Sequence, residues 1–423
     1  MFIDLARRGL LIAYILINAY ACSPEMGSEP GMAWNWCVNL AQHCELHIIT
    51  EGEFRDKIET VLPTLPQGKN MHFYYNPVSE KIRKMCWNQG DWRFYKYYKE
   101  WQWKTYVIAK EIIQQHHIDI VHQLNMIGFR EPGYLWKIEN RPFVWGPIDA
   151  KESFPTPFLK GINLKTKLFI LLKNAITKYQ LRYAKRVHLA AKRAQSVISA
   201  SSNSQQAIKK YFHIDSPLIN ETGCYIQKHP IINKSEKKSF DILWVGKLDF
   251  RKQLNLALCS IAKAKNIHFK LHIVGSGNKS SYQILAKKLG IENQCVWHGS
   301  ISHQQVQEFM QKSDLLFFTS IAEGTPHVIL EAIGNNLPIL CFDTCGQGDC
   351  VNENIGIKIP LSNPQQSIQK FASILNNLER NRKLLQCMSE KCQQRQIELS
   401  WENKALQMVK LYNNITNRRQ SNF

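Results

Sequence analysis

Ser313-Asp314-Leu315-Leu316-Phe317-Phe318-Thr319-Ser320-Ile321-Ala322-Glu323-Gly324-Thr325-Pro326-His327-Val328-Ile329-Leu330-Glu331-Ala332 decides how this chain is read. Leu315 to Phe318 is an apolar run of strand length, too short for a helix. Thr325-Pro326 then predicts an N-cap followed by proline at the first helical position, where a missing N–H costs nothing. The helix is expected to run to about Ile333 and to stop at Gly334-Asn335-Asn336. A strand, a tight glycine turn and a helix start place free amides and the positive end of a helix dipole at one point, which favours an anion. Glu323 in the turn and Glu331 in the helix cannot ligate that anion, because like charges repel; they suit hydroxyl groups. Amides for phosphate and carboxylates for hydroxyls together fit a nucleotide-sugar.

Working outward, the pattern repeats in two series. The first has strand candidates at Leu11–Ala19, Glu45–Thr50, Met71–Tyr75, Ile118–His122, Phe143–Gly146, Gln195–Ser199 and Pro217–Ile219, with helical stretches such as Met32–Ala41 and Lys104–Gln115 between them. The second has Asp241–Gly246, Lys270–Gly275, Cys295–His298, Leu315–Thr319, Pro338–Phe342 and Ile357–Ile359. Alternating strands and helices imply right-handed crossovers and a parallel sheet covered on both faces. The expected fold class is therefore α/β, two doubly wound, Rossmann-like parallel-sheet domains in tandem. Ligands in such sheets bind at the carboxyl ends of the strands, so an inter-domain cleft is the natural site. The expected division is 1–227, a polar linker at 228–239, and 240–399; a last helix at 400–414 precedes a frayed tail at 415–423.

Composition adds one unusual feature. Hydrophobic content of 44% over 423 residues is ordinary for two cored domains, but a net charge of +20 favours an anionic partner. Residues 151–200 carry eleven Lys and Arg against the single acid Glu152. Twelve cysteines without a C-x-x-C pair give no support for zinc or dithiol chemistry and suit a reducing cytoplasm. Near the start, Arg7-Arg8, the apolar run Gly9–Ile17 and Ala19-Tyr20-Ala21 imitate a signal peptide. A first strand buried on both faces is the preferred reading, since cleavage would remove the start of the loop that follows. No run is long enough to span a bilayer.

A second cluster carries chemistry of its own. Gly246 ends a predicted strand and is followed by Lys247, Arg251 and Lys252, a strand-end glycine with three cations close behind, as a phosphate clamp needs. The bland alternative is a solvated basic loop. Val274-Gly275-Ser276-Gly277 is a glycine turn without the third glycine of a dinucleotide fingerprint.

These residues resemble glycosyltransferase family 4. Glu323 and Glu331, in Glu-Gly-Thr-Pro-His-Val-Ile-Leu-Glu-Ala, are similar to its E-x7-E signature, and Trp244–Lys252 is similar to its V-G-R-L-x-x-x-K segment. The resemblance implies the two-domain fold called GT-B. It also implies that Glu323 contacts the donor sugar and that Glu331 holds the ribose. Lys247 and Lys252 would grip the diphosphate, with Gly246, Arg251, Gly275, Gly324 and Thr325 completing the donor site. Lys252 falls on the family lysine; Lys247 replaces an arginine, keeping charge but losing the bidentate fork. The last helix is expected to cross back to the first domain.

In the first half, the resemblance places a glycine-rich loop at Ala21–Trp36 beside the donor phosphates and facing the acceptor. Its residues Gly27, Ser28, Glu29 and Gly31 are acceptor-loop candidates. Glu29 reads either as a ligand for an acceptor hydroxyl or as a helix cap. His122, at the expected end of the fourth strand, reads either as a donor-sugar contact or as a structural histidine. Arg130 has Glu131 or an anionic acceptor as partner. Trp87 to Trp103 holds four tryptophans, three tyrosines and a phenylalanine among charges; packing, sugars, lipid and single-stranded nucleic acid all fit it.

The resemblance thus implies a retaining transferase of a hexose-type sugar from a nucleotide-sugar to a hydroxyl of a glycan or lipid-linked glycan. Retention would proceed by same-face attack, the leaving phosphate helping to deprotonate the acceptor. No Asp-x-Asp pair occurs, so no metal and no cofactor is expected; Lys252, Lys247, Arg251 and helix amides would neutralise the leaving diphosphate. The basic 151–200 segment suits an anionic membrane face in the cytoplasm rather than nucleic acid. Rival readings are a sugar-nucleotide epimerase, a phosphorylase, and a basic module that binds nucleic acid or anionic lipid.

Overall fold

A computed structural model describes residues 13–88, 91–151, 153–234, 239–264 and 268–420. Among these, twelve strands form two parallel six-stranded sheets. The first sheet contains β1 (Ala13–Ala19), β2 (Cys44–Thr50), β3 (Met71–Tyr75), β4 (Ile120–Asn125), β5 (Phe143–Ile148) and β6 (Ser196–Ser199), in the order β3-β2-β1-β4-β5-β6. The second contains β7 (Phe240–Val245), β8 (Phe269–Val274), β9 (Cys295–Gly299), β10 (Leu315–Phe318), β11 (Ile339–Asp343) and β12 (Gly356–Pro360), in the order β12-β11-β10-β7-β8-β9. Counted from its own first strand, each sheet has the doubly wound order 3-2-1-4-5-6, reversing direction beside that strand. The fold is GT-B.

Both sheets have cores on two faces because their strands are apolar runs rather than alternating ones. Ile15 and Ile17 of β1 face one core with Trp36 and Leu46, while Leu16 faces the other with Val121 and Trp145. In β10, Leu315 and Phe317 join one cluster and Leu316 and Phe318 the opposite one. A strand buried on both faces must be apolar at every position, which is why the expected strands match these closely.

Three expectations change. Pro217–Ile219 makes only an isolated bridge, Ser199 with Leu218, because the short β6 offers it little edge. The last helix does not stop near 414 but runs Trp401–Gln420, so the residues expected to fray are helical as far as they are described. The segment Leu11–Ile12, the Arg7-Arg8 pair and part of the linker (235–238) lie outside the described residues. The C-terminal helix packs on the first-domain helix Ser28–Leu40, with Trp401 edge-on to Trp36 at 5.8 Å and Ala405, Met408 and Tyr412 buried in that core. Among the described residues no helix is long and apolar enough to cross a membrane.

Candidate active site

The carboxyl ends of the two sheets meet across a cavity of about 570 Å³. One wall is the loop Pro24–Gly27 with Gly31, Met32 and Asn35 of the helix Ser28–Leu40. The other is the helix His327–Gly334, whose residues His327, Leu330, Glu331 and Gly334 recur three and four apart and so share one face. Thr222, Gly223 and Tyr225 form the floor, with His303 and Gln307 at the side. Gly27, Gly31 and Glu331, far apart in sequence, thus line one space. Gly31 is obligatory: a Cβ there would sit 1.9 Å from the carbonyl oxygen of Met26.

Glu331 lies in this wall with one oxygen 3.3 Å from His303 Nε2. Burial pushes the neighbouring His327 imidazole below its ordinary range, against the pull of Glu331, so the ring is neutral at pH 7.

Glu323 and Lys252 form a pair. Lys252 Nζ lies 2.6 Å from Glu323 Oε1, and Ser320 Oγ donates to the same oxygen. The lysine stem passes over Gly246, where a Cβ would lie 3.3 Å from Lys252 Cδ, and its ammonium stands 5.3 Å from the Phe318 ring centre. Gly246 in turn abuts Gly275, whose φ of +150° and whose missing Cβ, which would lie 1.8 Å from Gly246 O, admit no other residue without movement. Arg251 is turned away in a 2.8 Å pair with Asp249, and Lys247 is solvent-exposed. The three expected cations therefore differ: one is held at the strand ends, one is paired outward, one is loose.

The turn after β10 departs from expectation. Pro326, not Thr325, is the N-cap, and the helix begins at His327. The Thr325 N–H and hydroxyl both donate to Glu221, at 2.5 and 2.7 Å. Glu221 is a buried residue of the segment joining the two halves, and burial raises its carboxyl above the ordinary range despite these bonds. It approaches so closely that a Cβ on Gly324 would meet Glu221 Oε1 at 2.6 Å. Thr325's amide therefore holds a carboxylate of this chain rather than a free anion position, and Gly324 is needed for that approach.

His122 is also corrected. β4 runs past it to Asn125, so it is not at the strand end, and it is fully buried. Its Nδ1 bonds Tyr412 Oη and its Nε2 bonds Gly146 O, each at 2.6 Å. Burial lowers its pKa to about 4. It ties the first sheet to the C-terminal helix and does not reach the cleft.

Glu29 does not cap its helix; Gly27 is the N-cap, without a side-chain bond, and Ser28 follows with φ +54°. Glu29 Oε1 accepts from the Ile127 N–H at 3.2 Å, while Oε2 is buried without a hydrogen-bond partner in the protein. Burial pushes its carboxyl up to about 7, with Glu221 adding to the effect. Arg130 does not pair with Glu131; it donates to Gln180 and Thr177, and Glu131 pairs with Arg186.

Sequence reading missed the residues that clasp the halves together. Lys151 Nζ donates to Ile321 O at 3.3 Å and lies 2.9 Å from Cys345 Sγ. Ser202 donates to Asp349 through its N–H and its hydroxyl, and Cys345 N–H donates to Asn203 Oδ1 at 2.7 Å. None belongs to a motif, and each partner lies more than a hundred residues away, so no local signal marks them.

Residues 226–394 match the profile of "Glycosyl transferases group 1". By this match the second half of the chain is similar to the group 1 glycosyltransferases, as its motifs implied. The matched stretch holds β7 to β12, Lys252, Glu323 and Glu331, the part of the site that the family signature predicted. "Protein CapJ" of Staphylococcus aureus is 32% identical over 102 residues, 23% of this chain and 26% of that protein. The "Lipopolysaccharide 1,6-galactosyltransferase" of Escherichia coli is 30% identical over 122 residues, 28% of this chain and 32% of its own length. The chain thus matches about a quarter to a third of these family relatives' length. For the whole fold, Anabaena HepE in complex with UDP superposes with a TM-score of 0.58 at 14% identity, covering 95% of this chain and 100% of that one.

Proposed function

We propose that this chain moves a hexose from a nucleoside diphosphate sugar to a hydroxyl of a glycan or lipid-linked glycan, with retention at the anomeric carbon. The observation that carries the reading is the cavity in which Gly27 and Gly31 of the first domain face Glu331 of the second. In this reading residues 240–399 bind the donor and residues 1–227 present the acceptor. Glu331 accepts from the ribose, and Glu323 accepts from the sugar. Lys252, held by Glu323 until donor arrives, exchanges that partner for the diphosphate and stabilises its growing charge. Lys247, being exposed, is available to add a second charge, and no metal is required. The UDP bound to the Anabaena neighbour and the named activity of the E. coli relative support UDP as nucleotide and a surface polysaccharide as acceptor.

The test is a panel of nucleotide-sugars, UDP-hexoses first, offered to purified protein with EDTA present. Slow donor hydrolysis that quickens on adding a glycan acceptor supports transfer. Conversion of the donor to another sugar-nucleotide would replace it with epimerisation.

The lipid-linked form of the acceptor draws support from the helix Leu164–Tyr183. Leu164, Leu168, Leu172, Ile176, Tyr179 and Tyr183, spaced three and four apart, are 46–69% exposed along one stripe. Lys165, Lys167, Lys173 and Arg182 accompany it on the same helix. An apolar stripe with lysines suits peripheral docking on an anionic cytoplasmic membrane face. Wild-type protein should float with anionic but not neutral vesicles at low salt, and Leu168→Ser with Leu172→Ser should sink it. Arg186 is left intact, because it is paired with Glu131.

A further inference from the structure

We propose that Glu45, His47 and His72, with His116 as a fourth donor, form a site for a divalent transition metal of the zinc class, on the first sheet and away from the sugar-transfer cavity. One ligand atom from each of the first three residues lies within 4.8 Å of the others. Glu45 and His47 are two apart on β2, so they share a face of the sheet, and His47 is directly opposite His72 in the register of β2 with β3. His72 Nε2 and Glu45 Oε1 are already 3.1 Å apart. Two ligands of a tetrahedral zinc with bonds of about 2.0–2.1 Å stand about 3.3 Å apart, so this pair is at ligand spacing.

The remaining geometry fits the same use. The His47 ring is 5.0 Å from that of His72 and 4.6 Å from that of His116, which follows the helix Phe94–Gln115. Three imidazoles packed this closely repel one another when protonated and bind metal when neutral. The Tyr74 hydroxyl bonds His47 Nδ1 at 2.9 Å and fixes the ring, as outer hydrogen bonds of ligating histidines do. His47 is buried, whereas Glu45 and His72 are partly exposed and His116 is exposed, so an ion can enter from solvent and the outer ligands can close on it. Imidazole and carboxylate donors select zinc or its neighbours over magnesium or calcium.

Glu45 and His72 sit on the early parts of β2 and β3 and His47 at the middle of β2, whereas the cavity lies at the carboxyl ends of the strands. A metal there joins β2, the edge strand β3 and the end of the long helix, and so braces the outer edge of the acceptor-side domain.

The experiment titrates EDTA-stripped, dialysed full-length protein with Zn²⁺ by calorimetry and with Co²⁺ by visible spectroscopy. One equivalent should bind, Co²⁺ should give a tetrahedral d–d band without near-ultraviolet thiolate charge transfer, and Zn²⁺ should raise Tm. His72→Gln and Glu45→Gln, both at partly exposed positions, should each weaken binding about 100-fold and remove the Tm rise; His116→Gln should weaken it about 10-fold. UDP affinity should be the same in all variants, which separates this site from the transfer site. Thiolate charge transfer would place the metal on cysteines and overturn the proposal. So would the absence of stoichiometric binding, or binding untouched by both His72→Gln and Glu45→Gln.

Discussion

At the reversal point of the first sheet, between β1 and β4, neutral side chains fill the space. Asn18 Nδ2 donates to Gln102 Oε1 and Gln123 Oε1 at 2.6 and 2.9 Å, and Asn125 Nδ2 donates to Ala21 O at 2.8 Å. At the matching point of the second sheet, between β7 and β10, Thr319 Oγ1 donates to Lys252 O at 2.7 Å, and the Lys252–Glu323 pair stands with side chains 15% and 18% exposed. The strand order is the same; the chemistry is opposite. This amide network is buried and carries no charge, and it leaves Asn18 Oδ1, Gln102 Nε2 and Asn125 Oδ1 without a hydrogen-bond partner in the protein. A charged pair left at the solvent edge keeps the option of exchanging partners with a charged ligand, and on that difference rests the proposal that the second domain handles the donor.

Lys252→Ala breaks the comparison hardest. If Lys252 acts on the leaving diphosphate as proposed, its removal should lower kcat by about 10²–10³-fold, while UDP affinity falls much less. Unchanged kcat would leave the pair a mere salt bridge. Gly275→Ala tests whether the strand ends need their close contact. With φ at +150° and a Cβ 1.8 Å from Gly246 O, it should cost about 3 kcal/mol in denaturant unfolding. Gly27→Ala, with nothing within 4 Å of the new Cβ, should stay within about 0.5 kcal/mol.

His122 sharpens the first-domain side. Its folded pKa of about 4 is below the unfolded value of 6.5, so the unfolded chain binds the extra proton between these pH values. The stability it contributes is present above pH 6.5 and lost as pH falls towards 4, about 3 kcal/mol in all. His122→Asn should flatten that part of the stability–pH curve and leave UDP binding unchanged at pH 7.5; a lost UDP affinity would return His122 to the site. At Glu331 the expected effect lies between those of Lys252→Ala and Gly27→Ala. Its replacement by alanine should weaken UDP binding by about 1.5–3 kcal/mol, measured calorimetrically, if it bonds the ribose.

Strand positions and the tandem fold were legible in the linear chain, because continuous apolar runs and glycine turns are local properties. The reading failed where a distant group competed for a local one. Thr325 carries an N-cap signature, but its donors are taken by Glu221, 104 residues earlier. His122 resembled a strand-end ligand until Tyr412, 290 residues later, returned on the C-terminal helix to bond it. The aromatic stretch was undecided for the same reason: Phe94, Tyr98 and Trp101 pack around Tyr20, while Trp87, Trp92 and Trp103 remain exposed.

By itself, then, the sequence determined which segments are strands, which end carries charge and which family the second half resembles, since periodicity, turn chemistry and motif spacing act over a few residues. Tertiary structure alone decided who meets whom. Register put His47 opposite His72, the segment joining the two halves set Glu221 on Thr325, and the returning helix sealed His122. Hydrogen bonds and ion pairs fall off within a few ångströms, so a residue's role depends on neighbours that only the folded chain brings within reach.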